Sequence, residues 1–360
     1  MSNITHLERL CVFHLDFDIW SGQTRLFASD LKLGEGGEIP SEKVTQLGSK
    51  RICDPQRLKD FNRLKSEARR LLTSHGMPFM NGFAVPAQKV QEICDELDRI
   101  ERDFKDAKDA FISGYSAAIE EWINDNPEYE DAIRAGALPQ SEVERKIGFE
   151  YEIFMIQPVE GEKEKSLSRK AEGLGGDLLD EVTQQAQDFF IKNLSGKDRC
   201  GVTTKLSLKK IRDKVDGLSF LNGNLVPLVD LLDQTLNVYE GNAIGRSIMA
   251  PHFYQVLASV LIMGDRKKIE DYANGAVTVE SMADSVTPSD KSSEITEVAE
   301  TETDDVSDIE DDIDRFFSQT PEGGSDSSED DSELYVKDKP SLEKEVVIPD
   351  FDDDDESAFF

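Results

Sequence analysis

Three polar residues near the N-terminus are spaced so that they could bind a metal ion together. His14, Asp16 and Asp18 occupy every second position, and the residues between them are apolar. Side chains two residues apart on a β-strand project from the same face roughly 7 Å apart, and an imidazole with two carboxylates can then share one divalent cation. The same alternation also predicts the solvent-facing side of a half-buried strand. We favour this simpler interpretation and predict no metal site, with a metal-dependent enzyme as an alternative.

The sequence carries none of the common catalytic motifs. It has no G-x-x-x-x-G-K-[ST] phosphate loop, no G-x-G-x-x-G fingerprint, no H-E-x-x-H and no G-x-S-x-G nucleophile turn. Only four histidines are present, and the four cysteines (Cys11, Cys53, Cys94 and Cys200) form no C-x-x-C pair. We therefore expect no enzyme, no catalytic residue and no cofactor, and the separated cysteines are typical of a reducing cytoplasm.

Two groups of basic residues have the chemistry to contact the phosphates of a nucleic acid. The first lies on one face of a predicted helix between positions 57 and 70, and the second begins at Lys205. The residues that we predict to contact single-stranded DNA are Arg57, Arg63, Arg69, Arg70, Lys205, Lys209, Lys210 and Arg212. Phe79, Phe83 and Phe220 are candidates for stacking on bases. The alternative is that both groups form ordinary solvated helix faces.

Most of the negative charge lies at the C-terminal end of the chain. Residues 276–360 hold 29 acidic and 5 basic residues, and they carry −24 of the net charge of −33. This segment has few large apolar side chains, so it cannot bury enough surface to offset the entropy lost on folding. We predict a disordered acidic tail from Ala276 to Phe360.

The tip of this tail has the chemistry of a docking peptide. A terminal phenylalanine offers a ring and an α-carboxylate to a pocket with a basic rim, and nearby acids speed its encounter with a positively charged partner. The tip residues that we predict to dock are Asp350, Phe351, Asp352, Asp353, Asp354, Asp355, Phe359 and Phe360. A merely solubilising tail is the alternative.

A second docking element is predicted inside the tail. Ile309, Ile313, Phe316 and Phe317 are spaced at i, i+4, i+7 and i+8, so they would lie on one face of a short helix entering a partner's groove. Chance clustering of apolar residues is the alternative.

The last eleven residues resemble the C-terminal tip of bacterial single-stranded DNA-binding proteins, whose pattern is D-F-D-D-D-I-P-F. Asp350 to Asp354 match the first five positions and Phe360 matches the last, whereas Asp355 to Ala358 depart from the pattern and lack the Ile-Pro pair. Phage single-stranded DNA-binding proteins end similarly without that pair. The resemblance implies that the tip recruits replication, recombination and repair enzymes.

Two strands are predicted to position the polar residues of the N-terminal region. Apolar residues alternate with other residues from Cys11 to Ile19 and again from Phe149 to Met155. This period of two is that of a strand with one buried face, and the two strands can pair with each other.

Helices are predicted to carry the basic groups. Asp54 and Pro55 are a typical helix start, and an apolar stripe continues from there to Leu72. After a predicted loop from Gly76 to Pro86, a long amphipathic segment extends to Asn126 as one helix or a kinked pair, in a helical hairpin or coiled-coil arm.

Beyond a polar linker from Pro158 to Lys165, helical patterns recur at about 174–194, 206–216, 226–239 and 251–272. The sequence therefore predicts a mainly helical α+β fold with a small antiparallel sheet and long amphipathic helices. We predict a first domain at 1–158 with a long helical arm, a helical domain at 166–275 and the disordered tail at 276–360.

The first 160 or so residues also resemble an uncharacterised domain found in phages and mobile elements of bacteria. The residues that carry the resemblance are Ile19-Trp20-Ser21-Gly22, Leu47-Gly48-Ser49-Lys50 with Asp54-Pro55, and Gly82-Phe83-Ala84-Val85-Pro86. Members of that family occur near genes for MoxR-type ATPases, von Willebrand A-type proteins and phage-type recombination functions. The resemblance carries over no catalytic residue.

These observations predict a DNA-metabolism protein of a phage or mobile element, acting in replication or recombination in the cytoplasm of a bacterial host. It would bind single-stranded DNA through the basic helices and recruit enzymes through the acidic tip. The alternative is an adaptor without DNA affinity for a MoxR-type AAA+ ATPase or a von Willebrand A-type protein. Neither function involves a membrane.

Overall fold

The computed structural model describes residues 7–31, 47–157 and 164–287. Its strands are β1 (Leu10–Asp18), β2 (Gln23–Arg25), β3 (Ser49–Arg51), β4 (Met77–Phe79), β5 (Gly82–Pro86), β6 (Gly148–Phe154), β7 (Arg199–Gly201) and β8 (Ser247–Met249). The main sheet is antiparallel with the strand order β4-β5-β1-β6, and β2–β3 and β7–β8 form two separate ribbons.

The helices are α1 (Lys59–His75), α2 (Val90–Asp125), α3 (Glu130–Gly136), α4 (Gln140–Arg145), α5 (Glu164–Phe189), α6 (Lys205–Leu218), α7 (Leu225–Gly241), α8 (His252–Met263), α9 (Arg266–Ala273) and α10 (Val279–Val286). The predicted fold class is confirmed, because a small antiparallel sheet is combined with long helices.

The two predicted strands are β1 and β6, and they pair in antiparallel register. Phe17 lies opposite Phe149, with ring centroids 3.9 Å apart, and Leu15 lies opposite Tyr151. These side chains share the buried face that the alternation predicted. The prediction of only one buried face is wrong at the N-terminal end of β1, where Val12 is also buried because a second group of helices covers the opposite face.

The predicted loop from Gly76 to Pro86 is instead a β-hairpin. Strands β4 and β5 are joined by Met80 and Asn81, whose φ angles are 49° and 65°. Two consecutive positive φ angles in a two-residue connection define a type I′ turn, whose twist matches that of the paired strands. The dipeptide Asn81-Gly82 was the sequence signal for it.

Helices α1 and α2 pack together over the sheet. The Asp54 side chain accepts a hydrogen bond of 2.9 Å from the Gln56 amide and so caps the short 3₁₀ turn that leads into α1, as the sequence predicted. Helix α2 is one continuous helix of 36 residues that passes through Ser113-Gly114 without a break and buries side chains from Ile93 to Ile123.

The four helical segments predicted for the second half are present. The last of them divides at Gly264 into α8 and α9, where the Asp265 side chain caps the new helix. The predicted tail starts too early, because α10 lies within it. Thr278 caps α10, Ala283 is buried, and Met282 packs on the neighbouring core.

Two hydrophobic cores lie on opposite faces of the main sheet. The first core joins the face that includes Phe13 and Val85 to helices α1 and α2. The second core joins the face that includes Leu10, Val12 and Ala84 to helices α5 to α9. The regions that the sequence assigned to separate domains therefore share one sheet.

Candidate nucleic-acid interface and buried polar contacts

The basic face of α1 is largely neutralised by carboxylates. Arg57 forms an ion pair with Glu121 on α2. Arg63 lies 3.2 Å from Glu67 and 3.5 Å from Asp60 on its own helix. Arg69 is exposed and Arg70 is half-buried, and both also interact with other groups. Arg57 and Arg63 of this predicted DNA-contacting face are therefore paired with carboxylates of the chain itself.

The basic residues of α6 divide into two sets. Arg212 binds both carboxylate oxygens of Asp233 on α7, at 2.8 and 3.2 Å, and lies 3.1 Å from Asp216. Lys205 and Lys209, one turn apart at the start of the helix, make no ion pair within the described part of the chain. Lys210 is exposed and interacts with another group. The N-terminal half of α6 is thus where positive charge stays uncompensated.

Two further exposed arginines lie in or beside the β7–β8 ribbon, whose strand β7 leads through a short 3₁₀ turn into α6. Arg199 is in β7, and Arg246 accepts a hydrogen bond of 2.9 Å through its main-chain oxygen from the Val202 amide. We call Arg199, Lys205, Lys209 and Arg246 the α6 basic surface. Sequence reasoning missed Arg246 because it is distant in the chain, and the β7–β8 ribbon brings it back.

The aromatic residues considered for base stacking are not free to stack. Phe79 is buried in the second core, and Phe83 packs against the first. The guanidinium of Arg9 lies 4.0 Å from the ring centroid of Phe220. The stacking prediction is wrong for Phe79. The segment predicted to be a loop is the β4–β5 hairpin, and in it the Phe79 ring is buried.

Lys214 follows the predicted basic residues along α6, but its side chain is buried in the protein. Its Nζ donates hydrogen bonds to Oε1 of Glu181 at 2.6 Å and to the main-chain oxygen of Thr73 at 2.8 Å. Gln185 donates to the same Glu181 oxygen at 3.0 Å. Burial lowers the pKa of Lys214, and the Glu181 carboxylate opposes this shift. Its position within the apolar stripe of Ile211 and Leu218 was the sequence signal for burial.

His75 ends α1, two residues after Thr73, whose main-chain oxygen binds Lys214. Burial lowers the pKa of its imidazole, while the nearby carboxylate of Glu92 acts in the opposite direction. Lys214 and Asp213 also act on it electrostatically. The junction of α1, α2 and α6 therefore combines a buried cation with a histidine that favours its neutral form.

The cysteines are protected thiols in the structure. Burial raises the pKa of Cys53 to about 11, and the pKa values of Cys11, Cys94 and Cys200 are raised by the same cause. Cys200 Sγ lies 3.5 Å from the Tyr239 hydroxyl, which is 2.9 Å from Thr204 Oγ1. Thiols with raised pKa values are poor nucleophiles and poor metal ligands at neutral pH.

The polar residues of β1 lie on one face of the strand, where Asp16 and Asp18 are exposed and His14 is half-buried. Asp16 is exposed and lies opposite Glu150 in β6, while His14 Nδ1 lies 3.1 Å from the main-chain oxygen of Asn81. Within the described residues, no group of three or more His, Cys, Asp or Glu side chains is placed to hold a metal ion.

Both predicted docking elements of the tail, from Ile309 to Phe317 and from Asp350 to Phe360, lie outside the described residues. In the part of the chain that is described, no helix is long and apolar enough to cross a membrane.

Comparison with known proteins gives one match. No curated protein and no solved structure matches the chain. A family model described as "Protein of unknown function (DUF3150)" matches residues 7–265, which include the main sheet, the first hydrophobic core, most of the second and the α6 basic surface. Because that match covers well over half of the sequence, the chain belongs to the DUF3150 family.

Proposed function

We propose that this chain acts in the DNA metabolism of a phage or mobile element, where it binds single-stranded DNA on the α6 basic surface and recruits enzymes through its acidic tip. The DNA-binding part of the proposal rests on the exposure and the charge of Lys205 and Lys209. They are exposed or half-exposed, adjacent on one helix face and without an ion pair in the described structure. Uncompensated cations of this kind are what a phosphate backbone requires.

The partner-recruiting part rests on the distribution of charge and on the tip. Residues 276–360 hold 29 acidic residues, and the last two residues are Phe359 and Phe360. An acidic segment that leads to a terminal aromatic residue complements an apolar pocket with a basic rim on another protein. The resemblance of this tip to those of single-stranded DNA-binding proteins suggests replication, recombination or repair enzymes as the partners.

The test of DNA binding compares two charge reversals of equal size. Fluorescence anisotropy would measure binding of a labelled single-stranded oligonucleotide to the wild type, to Lys205→Glu with Lys209→Glu, and to Lys267→Glu with Lys268→Glu on α9. We expect the α6 variant alone to lose affinity and to reduce the slope of log K against log salt by about 1.4, which corresponds to the loss of two phosphate contacts on a single strand. Equal effects of both variants, or no binding by the wild type at low salt, would contradict the proposal.

A second candidate function is favoured by the ion pairs of Arg57, Arg63 and Arg212. If these pairs leave too little positive charge for DNA, the chain is an adaptor that binds proteins alone, with a MoxR-type ATPase or a von Willebrand A-type protein as its partner. The full chain and its Phe359→Ala, Phe360→Ala variant would be used to capture proteins from a bacterial host. Loss of replication or recombination enzymes with the variant supports the first function, whereas unchanged capture of an ATPase supports the second.

A further inference from the structure

The β7–β8 ribbon has one buried face and one outward face. Cys200 and Ile248 lie opposite each other, and both are buried. Because side chains alternate along a strand, the residues on either side of this pair project outward. Arg199 and Met249 are such residues, since they lie opposite each other and both are exposed. The outward face therefore places a guanidinium directly beside an apolar side chain.

The turn that precedes β8 adds a second apolar residue to this face. Ile244 and Ser247 exchange main-chain hydrogen bonds of 2.9 and 3.3 Å around Gly245 and Arg246. Gly245 has a φ of 65°, which suits the first central position of a two-residue hairpin turn. Residues that lie directly opposite each other project from the same face, so Ile244 shares the outward face of Ser247 and Met249.

Both apolar residues of this face are open to solvent. Ile244 is 67% exposed and Met249 is 38% exposed. They are diagonal neighbours across the turn, so one ligand group can touch both. Single exposed apolar residues are common on protein surfaces. A neighbouring pair that lies beside an arginine instead has the composition of a contact site.

The turn is joined to the start of α6. The main-chain oxygen of Arg246 accepts a hydrogen bond from the amide of Val202, which precedes Lys205 by three residues. The Cα atoms of Val202 and Lys205 are therefore at most about 11 Å apart. Leu206, the next residue of α6, is 44% exposed and is a neighbour of Lys209 on the helix surface. Exposed apolar side chains thus accompany the cations of the α6 basic surface on both the ribbon and the helix.

A ligand that satisfies this surface must carry anionic groups and apolar faces at short intervals. None of the four cations of the α6 basic surface has an ion pair within the described residues. A nucleic-acid strand supplies one phosphate per nucleotide, and an unpaired strand also exposes the flat faces of its bases. In a duplex these faces are stacked on one another, and only the base edges reach the grooves. The mixed composition of the surface therefore matches a single strand better than a duplex.

We propose that Leu206, Ile244 and Met249 contact the bases of a bound strand while the neighbouring cations hold its phosphates. This inference rests on the proposed DNA-binding function and adds the residues that distinguish unpaired from paired DNA. Aliphatic side chains contact a base face or a thymine methyl group through dispersion and the exclusion of water. Such contacts require no particular pattern of hydrogen-bonding groups, so they favour single strands with little dependence on sequence.

A comparison of strands with and without bases tests the proposal. Fluorescence anisotropy would measure binding of the full-length chain to oligo(dT) and to an abasic strand with the same number of phosphates. We expect the wild type to bind oligo(dT) roughly tenfold more tightly, because the apolar side chains leave water only where bases cover them. Equal, salt-dependent affinity for both strands would overturn the base contacts and leave the DNA-binding function intact. Absence of binding to either strand at low salt would contradict both.

Substitution of the ribbon residues assigns the contact. Ile244→Thr with Met249→Gln keeps the branching and the length of the side chains but removes much of their apolar surface. We expect this variant to bind oligo(dT) roughly tenfold more weakly, with an unchanged slope of log K against log salt because no cation is lost. The matched control is Ile153→Thr with Met155→Gln, the same substitutions at two other exposed positions. Equal losses in the two variants would contradict the assignment.

Photochemical cross-linking of the wild type gives a result that does not depend on the folding of a variant. The full-length chain would be irradiated with a strand that contains 4-thiothymidine, and peptide mass spectrometry would locate the bonds. We expect cross-links within 244–249 and at Leu206, and cross-links confined to other segments would overturn the proposal. Tighter binding to an acidic peptide that contains phenylalanine than to oligo(dT) of equal charge would instead assign the surface to a protein partner.

Discussion

The ammonium group of Lys214 lies 2.6 Å from Oε1 of Glu181 inside the protein, and the same ammonium binds the main-chain oxygen of Thr73 at 2.8 Å. One side chain on α6 thus joins α5 to the C-terminal end of α1. Thr73 belongs to the half of the chain that builds the first core, whereas Glu181 and Lys214 belong to the half that builds the second. The contact is a polar link between the two halves, close to the sheet that they share.

Removal of the Lys214 amine should strongly destabilise the chain. In Lys214→Ala the Glu181 carboxylate loses its cation in a largely buried position, and breaking a pair of this kind costs about 3–5 kcal/mol. Urea unfolding followed by circular dichroism would measure the loss. The matched control is Lys209→Ala, an exposed lysine on the same helix, for which we expect a change within about 0.5 kcal/mol.

Replacement of both partners should cost much less than replacement of one. In Lys214→Met with Glu181→Leu no charge stays buried, and apolar residues of similar volume often substitute for a buried ion pair without loss. We expect the double variant to be more stable than Lys214→Ala in the same urea titration. A double variant that is as unstable as Lys214→Ala would show that the ion pair itself is not what the site requires.

Stability should fall when the pH drops below 6.5, in part through His75. Burial lowers the pKa of His75 from its usual value of 6.5, so the unfolded chain binds a proton more tightly than the folded chain. Between the folded pKa and 6.5 stability therefore rises with pH, and it is lost as the pH falls through that window. Urea midpoints at pH 7.5 and 5.5 would show a smaller difference for His75→Gln than for the wild type. An unchanged difference would exclude His75 as the source.

The buried thiols should resist modification until the chain unfolds. Because burial raises the pKa of Cys53 to about 11, almost none of it is thiolate at pH 7.5. Cys200 is only 3% exposed and its pKa is also raised. We expect both to react with a thiol reagent only after urea is added, and Cys11 and Cys94 to react slowly before that. Rapid reaction of all four cysteines with the reagent in the folded chain would contradict the packing around them.

The turn between β4 and β5 offers a way to stabilise the hairpin. Met80 is 50% exposed and has a φ of 49°, a conformation that asparagine adopts more readily than methionine. Met80→Asn should raise the free energy of unfolding by up to about 1 kcal/mol. Met80→Val should lower it, because a β-branched side chain is strained at positive φ. Thermal unfolding of the two variants would give shifts of opposite sign, and shifts of the same sign would contradict the turn type.

The elements that sequence reasoning found are those with a long, regular pattern. Strands β1 and β6 alternate over many residues, and α2 keeps an apolar stripe through 36 residues. The ribbons β2–β3 and β7–β8 were missed because each strand has only three residues, which is too short to display a period. Their strands are separated in sequence, so tertiary packing decides that they form.

The contacts of side chains in the candidate nucleic-acid site could not be predicted from local sequence patterns either. Composition and helical spacing identified the basic residues of α1 and α6, but the partners of those residues come from elsewhere in the chain. Glu121 lies 64 residues from Arg57, and Asp233 lies 21 residues from Arg212. Whether a surface charge is neutralised by a distant carboxylate depends on the packing of helices, which no local pattern encodes.

The arrangement of two cores on one sheet determines how the chain can be divided. A fragment ending near residue 158 would retain β1, β4 and β5 but would leave Val12, Met77 and Phe79 without their cover. Newly exposed apolar surface on a sheet of this kind promotes aggregation. We therefore expect truncation libraries to yield well-behaved protein only from fragments that extend through α8, and unfolding of the intact chain to proceed as a single cooperative event rather than in two steps.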